Sequence, residues 1–149
     1  MRRRRLLAAL SGITVGTAGC VGSSARPAQT TADEGPLRIT DESFTAGDGS
    51  CTAGEGESEG RADVSFEAET VRVDGRLVTP TPCHGAALDA TTLDGSTLVV
   101  AVRTTDPAAG ACVQCLGEIP YDLTVRFTGG LPEAVRVEHD GETVATVRR

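Results

Sequence analysis

The sequence predicts an all-β domain, most simply a two-sheet sandwich of about seven short strands. Three observations point to it. Ile119, Tyr121, Leu123, Val125 and Phe127 alternate with Pro120, Asp122, Thr124, Arg126 and Thr128, the period of two that a sheet with one buried face requires. Asp-Gly recurs at Asp74-Gly75, Asp94-Gly95 and Asp140-Gly141, each between β-formers, and Asp-Gly supplies the positive φ angles of tight hairpin turns. From Leu37 onward no stretch carries the 3.6-residue period of a helix.

Taken in order, Val64 and Phe66 alternate with polar neighbours and read as a strand, which Asp74-Gly75 is expected to follow as a hairpin turn. The second turn, at Asp94-Gly95, leads into Leu98–Val102 (LVVAV), a continuous apolar run that suits a strand inside a sheet. The Ile119–Thr128 strand comes next, then Val135 and Val137, then the turn at Asp140-Gly141. His139 and Glu142 flank that last turn and are expected to pair across it. Elements of this kind, without helices, stack as two packed sheets. The likeness to immunoglobulin domains is one of architecture only, because the chain has no tryptophan. Phe44, Phe66, Tyr121 and Phe127 are its only aromatic residues, so the core must come from Val, Leu, Ile and Ala.

Ahead of this domain, Arg2–Arg5 form a positive cluster and the next 14 residues, Leu6–Gly19, carry no formal charge. A charged segment, a short apolar run and small residues before a processing point make a signal peptide, residues 1–19. The run is too short to span a bilayer, which takes about 20 residues. Arg3-Arg4-Arg5-Leu6-Leu7 resembles a twin-arginine export signal, an address read by a receptor. Thr17-Ala18-Gly19-Cys20 resembles a lipobox, in which the Cys20 thiol receives a diacylglycerol; two acyl chains suffice for stable anchoring. Residues 20–36 (CVGSSARPAQTTADEGP) are small and polar and read as a tether, leaving 37–149 as the sandwich.

The signal holds four of the 14 basic residues and none of the 21 acidic ones, so the processed chain has 10 basic against 21 acidic residues, a net charge of −11. All basic residues are arginines, and no basic patch lies outside the signal. Phosphate contacts need Lys and Arg clusters, so nucleic-acid binding is set aside.

Beyond Cys20 the chain has Cys51, Cys83, Cys112 and Cys115, an even number in an exported domain, which points first to two disulfides. A Cys112–Cys115 bridge would close too small a loop to stabilise much. The expected pairing therefore joins Cys51 and Cys83 to Cys112 and Cys115, one each, in either crossing. The alternative is a metal or thiol-redox centre built from Cys83, His84, Cys112 and Cys115. A metal centre would use sulfur and nitrogen donors. Adjacent Cys83 and His84 point to opposite faces of a strand, so both could bind only at a turn. A redox dithiol at Cys112-x-x-Cys115 lacks the helix that normally lowers the thiol pKa.

Two other patterns carry little. Gly56-Glu57-Ser58-Glu59-Gly60 spells the G-x-S-x-G of a nucleophile elbow, but that motif works only between a strand and a helix, and the glutamates oppose an oxyanion. The acidic loop lacks calcium-loop spacing.

Together the lipobox, the acidic lysine-free composition, and the TPTPCH and CVQCLGEIPY segments resemble small lipoproteins of halophilic archaea. The resemblance implies an exported, membrane-anchored protein and supplies no catalytic residues; separately, no cofactor is expected. The expected function is a non-enzymatic binding or accessory domain on the outer face of the membrane, attached through Cys20, with a protein partner yet to be identified.

Overall fold

A computed structural model describes residues 35–54 and 59–149. The export signal, Cys20 and nearly all of the tether lie outside the described residues. Nine strands follow one another: β1 (Arg38–Ala46), β2 (Ser50–Cys51), β3 (Arg61–Glu67), β4 (Thr70–Thr79), β5 (Gly85–Asp94), β6 (Thr97–Thr105), β7 (Gly117–Thr128), β8 (Ala134–His139) and β9 (Glu142–Arg148). They form two sheets, and no helix occurs among the described residues.

The first sheet runs β1-β7-β4-β3 with every pair antiparallel, and β2 adds to the start of β7. The second runs β5-β6-β8-β9: two antiparallel hairpins joined by the parallel β6–β8 pair. A parallel pair needs a crossover between its strands; here the crossover is β7, which crosses to the other sheet and back. Inward side chains of β4 and β7 (Val71, Val73, Leu77, Ile119, Tyr121, Leu123, Val125, Phe127) meet those of β6 and β8 (Leu98, Val100, Val102, Val135, Val137), all at most 2% exposed. Each such side chain contributes roughly 1.5–3 kcal/mol of burial. The alternation in β7 is the one the sequence spells out, and LVVAV lies inside its sheet, flanked by β5 and β8.

Pro120 explains why the first strand is broken in two. It stands in a strand paired on both edges, a place proline normally avoids because it lacks the ladder N–H. Its carbonyl accepts a hydrogen bond from the Gly47 N–H at 2.8 Å. In an antiparallel strand the N–H and C=O of one residue point to the same side, so the missing donor faces β1. There the ladder lapses over residues 47–49 and resumes as β2.

One expected turn is not a turn. Asp74-Gly75 lies within β4, and the β3–β4 hairpin closes one element earlier at Ala68-Glu69, where Ala68 has φ 33°. Gly75 instead sits opposite Tyr121, whose ring occupies the space a Cβ would take. The glycine is there for a neighbour's bulk. The other two Asp-Gly pairs do sit at hairpin ends: Gly95 has φ 59°, and Asp140 and Gly141 have φ 48° and 86°, the double positive φ of a type I′ turn.

Candidate functional site

The chain enters the sandwich at Arg38, opposite Thr128 at the C-terminal end of β7. The other end of β7 begins at Gly117, and 12 strand residues separate the two by roughly 37 Å. The sites of chemical interest gather at that far end.

Both disulfides are there. Cys51 bonds Cys115 and Cys83 bonds Cys112, which is one of the two crossings open from the sequence. Cys51 is the last residue of β2, paired with Gly117, and Cys83 lies in the turn between β4 and β5. The loop 106–116 is thus tied to both sheets, with a further stitch where the Ala108 N–H donates to the Cys83 carbonyl at 3.0 Å. Within it Val113 and Leu116 are 63% and 47% exposed, the large apolar side chains most open to solvent among the described residues.

The alternative centre at Cys83, His84, Cys112 and Cys115 is not assembled. Its three sulfurs are spent in disulfides, and Cys112 and Cys115 bond partners elsewhere rather than each other. The His84 ring turns back on its own turn, with Nδ1 3.0 Å from Thr81 Oγ1 and 3.1 Å from the Thr81 carbonyl. Neither a thiolate pair nor a shared ligand direction remains. Among the described residues no three His, Cys, Asp or Glu side chains converge on a metal-sized site. The serine of the G-x-S-x-G pattern lies outside the described residues. Gly60 leads directly into β3, so the helix a nucleophile elbow requires is replaced by a strand.

The second histidine is more informative. His139 is the backbone partner of Glu142 across the hairpin, but its side chain turns inward and is only 7% exposed. Its Nε2 lies 2.6 Å from the Tyr121 hydroxyl, and the rings meet edge to face at 5.5 Å. Phe44 stacks on the other side of Tyr121 at 5.6 Å. Burial pushes the phenol's pKa up and holds the imidazole below the usual histidine range, the latter opposed in part by the Asp140 carboxylate. The direction of the Tyr121–His139 hydrogen bond follows the tautomer of the imidazole. The ring's other nitrogen, Nδ1, is buried with no hydrogen-bond partner among the described residues. It faces Gly60, where a Cβ would come within 2.5 Å of it. Beside this pair a cavity of about 480 Å³ opens at the seam between the sheets, lined by Glu59, Gly60, Leu77, Val78, His139, Asp140, Glu142, Thr143 and Val144.

The sequence held half of this signal. Val135, Val137 and His139 share one strand parity, as do Ile119 and Tyr121, so both polar side chains were bound for the core face. That they meet depends on how the two sheets pack.

A third cluster lies on the outer face of the first sheet. Asp63, Asp74 and Asp122 are direct neighbours across β3, β4 and β7. Asp74 is held above the usual carboxylate range, first by its hydrogen bond with Asp122, then by partial burial and the neighbouring charge, with Arg72 opposing.

Fold and sites define a class: a disulfide-braced, all-β sandwich whose cross-links and polar cavity share one end. No protein family, no curated protein and no solved structure matches the chain.

Proposed function

We propose that the protein is a lipid-anchored domain on the outer face of the cell membrane that binds or supports a partner without catalysing a reaction. The observation that carries this reading is the placement of the doubly cross-linked loop 106–116, with exposed Val113 and Leu116, at the end of β7 opposite the chain's entry. A domain attached through Cys20 would hold that end outward, away from the bilayer. Cross-links that fix an exposed apolar loop reduce the ordering cost of binding. The disulfides fit an oxidising compartment, and the signal-like sequence, the lipobox and the lysine-free acidic composition support export and anchoring.

Anchoring is tested by intact mass and fractionation. The wild-type chain is expected in the membrane fraction with a diacylglyceryl addition at Cys20, and Cys20→Ser in the soluble fraction. A wild-type chain that is soluble and unlipidated refutes the anchor. Binding is tested with a photo-crosslinker at Val113 in native membranes. A discrete adduct that is lost when Leu116 becomes Asp supports the reading, and cross-linking that ignores that change refutes it.

A further inference from the structure

We propose that β3 is a self-association edge, along which two copies of this chain pair antiparallel and join their sheets into one. The inference is independent of the lipid anchor and of the role of loop 106–116. An outer strand presents unpaired N–H and C=O groups, and folded proteins blunt such edges with bulges, prolines, inward charges or a cover. The two sheets have four outer strands, β1, β3, β5 and β9. Three of them carry a bulge, with Thr40, Asp89 and Val144 as the extra residues on the outer strand. β3 carries none. Its residues pair with β4 in unbroken register from Arg61↔Arg76 to Glu67↔Thr70, and no strand among the described residues pairs with its other side. It holds no proline, and its inward side chains, Ala62, Val64 and Phe66, are uncharged and only half-buried. One strand further in, Val71 and Val73 of β4 are fully buried.

The residues of β3 choose the occupant. Side chains directly opposite in an antiparallel pair share a face, so two copies of one strand pair about a central residue. Centred on Val64, this strand is complementary to itself. Arg61 stands opposite Glu67 of the second copy at both ends of the ladder, and Asp63 stands opposite Ser65. On the inward face Ala62 meets Phe66, small against large, and Val64 meets Val64. Moving the centre to Asp63 sets two Asp63 carboxylates against each other, and moving it to Ser65 sets Asp63 against Glu67. Opposite charges across a ladder stabilise it and like charges directly opposite destabilise it, so one register is selected. Arg61 and Glu67 are exposed and make no ion pair among the described residues, so both are available to a second copy. β9 offers a similar match of Glu142 to Arg148, but its bulge at Val144 interrupts the ladder. The pair has a twofold axis at Val64 and a continuous sheet in the order β1-β7-β4-β3-β3-β4-β7-β1. That axis reverses the second copy, so the two chain entries at Arg38 lie at opposite ends of the pair.

The experiment follows association of the full chain, purified in density-matched detergent, by sedimentation against protein concentration at low salt. Wild type is expected to pass from monomer to dimer as concentration rises. Arg61→Glu and Glu67→Arg each set like charges opposite each other at both ends of the ladder and should weaken the dimer about tenfold. The double change restores opposite charges and should recover the wild-type dimer. Both positions are exposed, so melting curves of the three variants should match wild type and separate lost pairing from lost folding. A photo-crosslinker at Ser65 should link to residues 61–67 of a second copy. A chain that stays monomeric at every concentration overturns the inference. So does a dimer indifferent to the single changes, a folded double variant that fails to recover it, or adducts that map to β9. A dimer that maps to loop 106–116 and is lost with Leu116→Asp would discard the β3 edge alone and leave the proposed function standing.

Discussion

The Tyr121–His139 pair allows a sharp test of how this core is held. Tyr121 is 2% exposed and His139 7%, and their polar atoms lie 2.6 Å apart between the two sheets. Changing Tyr121 to Phe removes one hydroxyl and leaves Nε2 as a second buried, unpaired nitrogen on the ring. The lost bond and the stranded nitrogen together should cost about 1–3 kcal/mol. Changing His139 to Leu strands the Tyr121 hydroxyl instead, at a similar cost. The double change removes both polar partners, so its cost should fall short of the sum of the singles by roughly 1–2 kcal/mol. Urea denaturation of the oxidised chain measures all four corners of the cycle, with midpoint shifts at unchanged m reporting stability. Additivity within about 0.5 kcal/mol would refute the view that these atoms depend on each other. The pH dependence gives a second handle with a definite sign. His139 titrates below its unfolded value near 6.5 because burial disfavours the charged ring. Between the two values the unfolded chain binds the extra proton, so stability rises with pH there. The contribution is fully present above about pH 6.5 and fades as pH falls toward the folded value. His139→Leu should flatten that part of the profile, and an unaltered profile would count against it.

Three further outcomes follow from other parts of the fold. Gly75→Ala places a methyl group in the space of the Tyr121 ring and should destabilise by about 1–3 kcal/mol, read from the denaturation midpoint; a neutral effect would mean the ring has room to move. The Cys51–Cys115 and Cys83–Cys112 bridges span 64 and 29 residues, for which loop-closure entropy gives about 4.3 and 3.6 kcal/mol taken singly. Reduction should accordingly lower the melting temperature steeply, with less than the sum because the shorter loop lies within the longer, and a reduced chain that melts like the oxidised one would contradict this. Asp74→Asn relieves like charges that stand side by side and should stabilise by about 0.2–1 kcal/mol at neutral pH and low salt. The raised Asp74 pKa gives the sign: wild type is penalised above it and recovers as pH falls through it. In molar salt, where the Debye length is about 3 Å, the gain should shrink toward zero; a gain independent of both salt and pH would point to a cause other than charge.

Much of the fold was legible in local pattern. The inward row of β7, the buried run of β6 and two of three Asp-Gly turns follow from strand periodicity and turn stereochemistry, which act over a few residues. The same local signal misplaced the Asp74-Gly75 turn, because a glycine that yields to a ring across the sheet looks in sequence like one that bends the chain. It also missed Ala68-Glu69, which carries no turn signature and is held by the pairing on either side. The break between β1 and β2 belongs with these, since Pro120 announces a missing donor but not which neighbour loses it.

The candidate sites divide along the same line. From four cysteines the sequence narrowed the pairing to two crossings, by the rule that a three-residue span gains little from closure. Only the packing of β2 against Gly117 and of the β4–β5 turn against loop 106–116 chose Cys51–Cys115 and Cys83–Cys112. Strand alternation put Tyr121 on the core side, whereas the sequence reading paired His139 with Glu142 across the turn and missed that its parity with Val135 and Val137 turns it inward. Their meeting, and the cavity beside Gly60, required the two sheets to be set face to face in one register. Side-chain direction is a property of the local backbone and can be read along the chain. Which directions converge is decided by contacts between residues far apart in sequence, and those exist only in the folded sandwich.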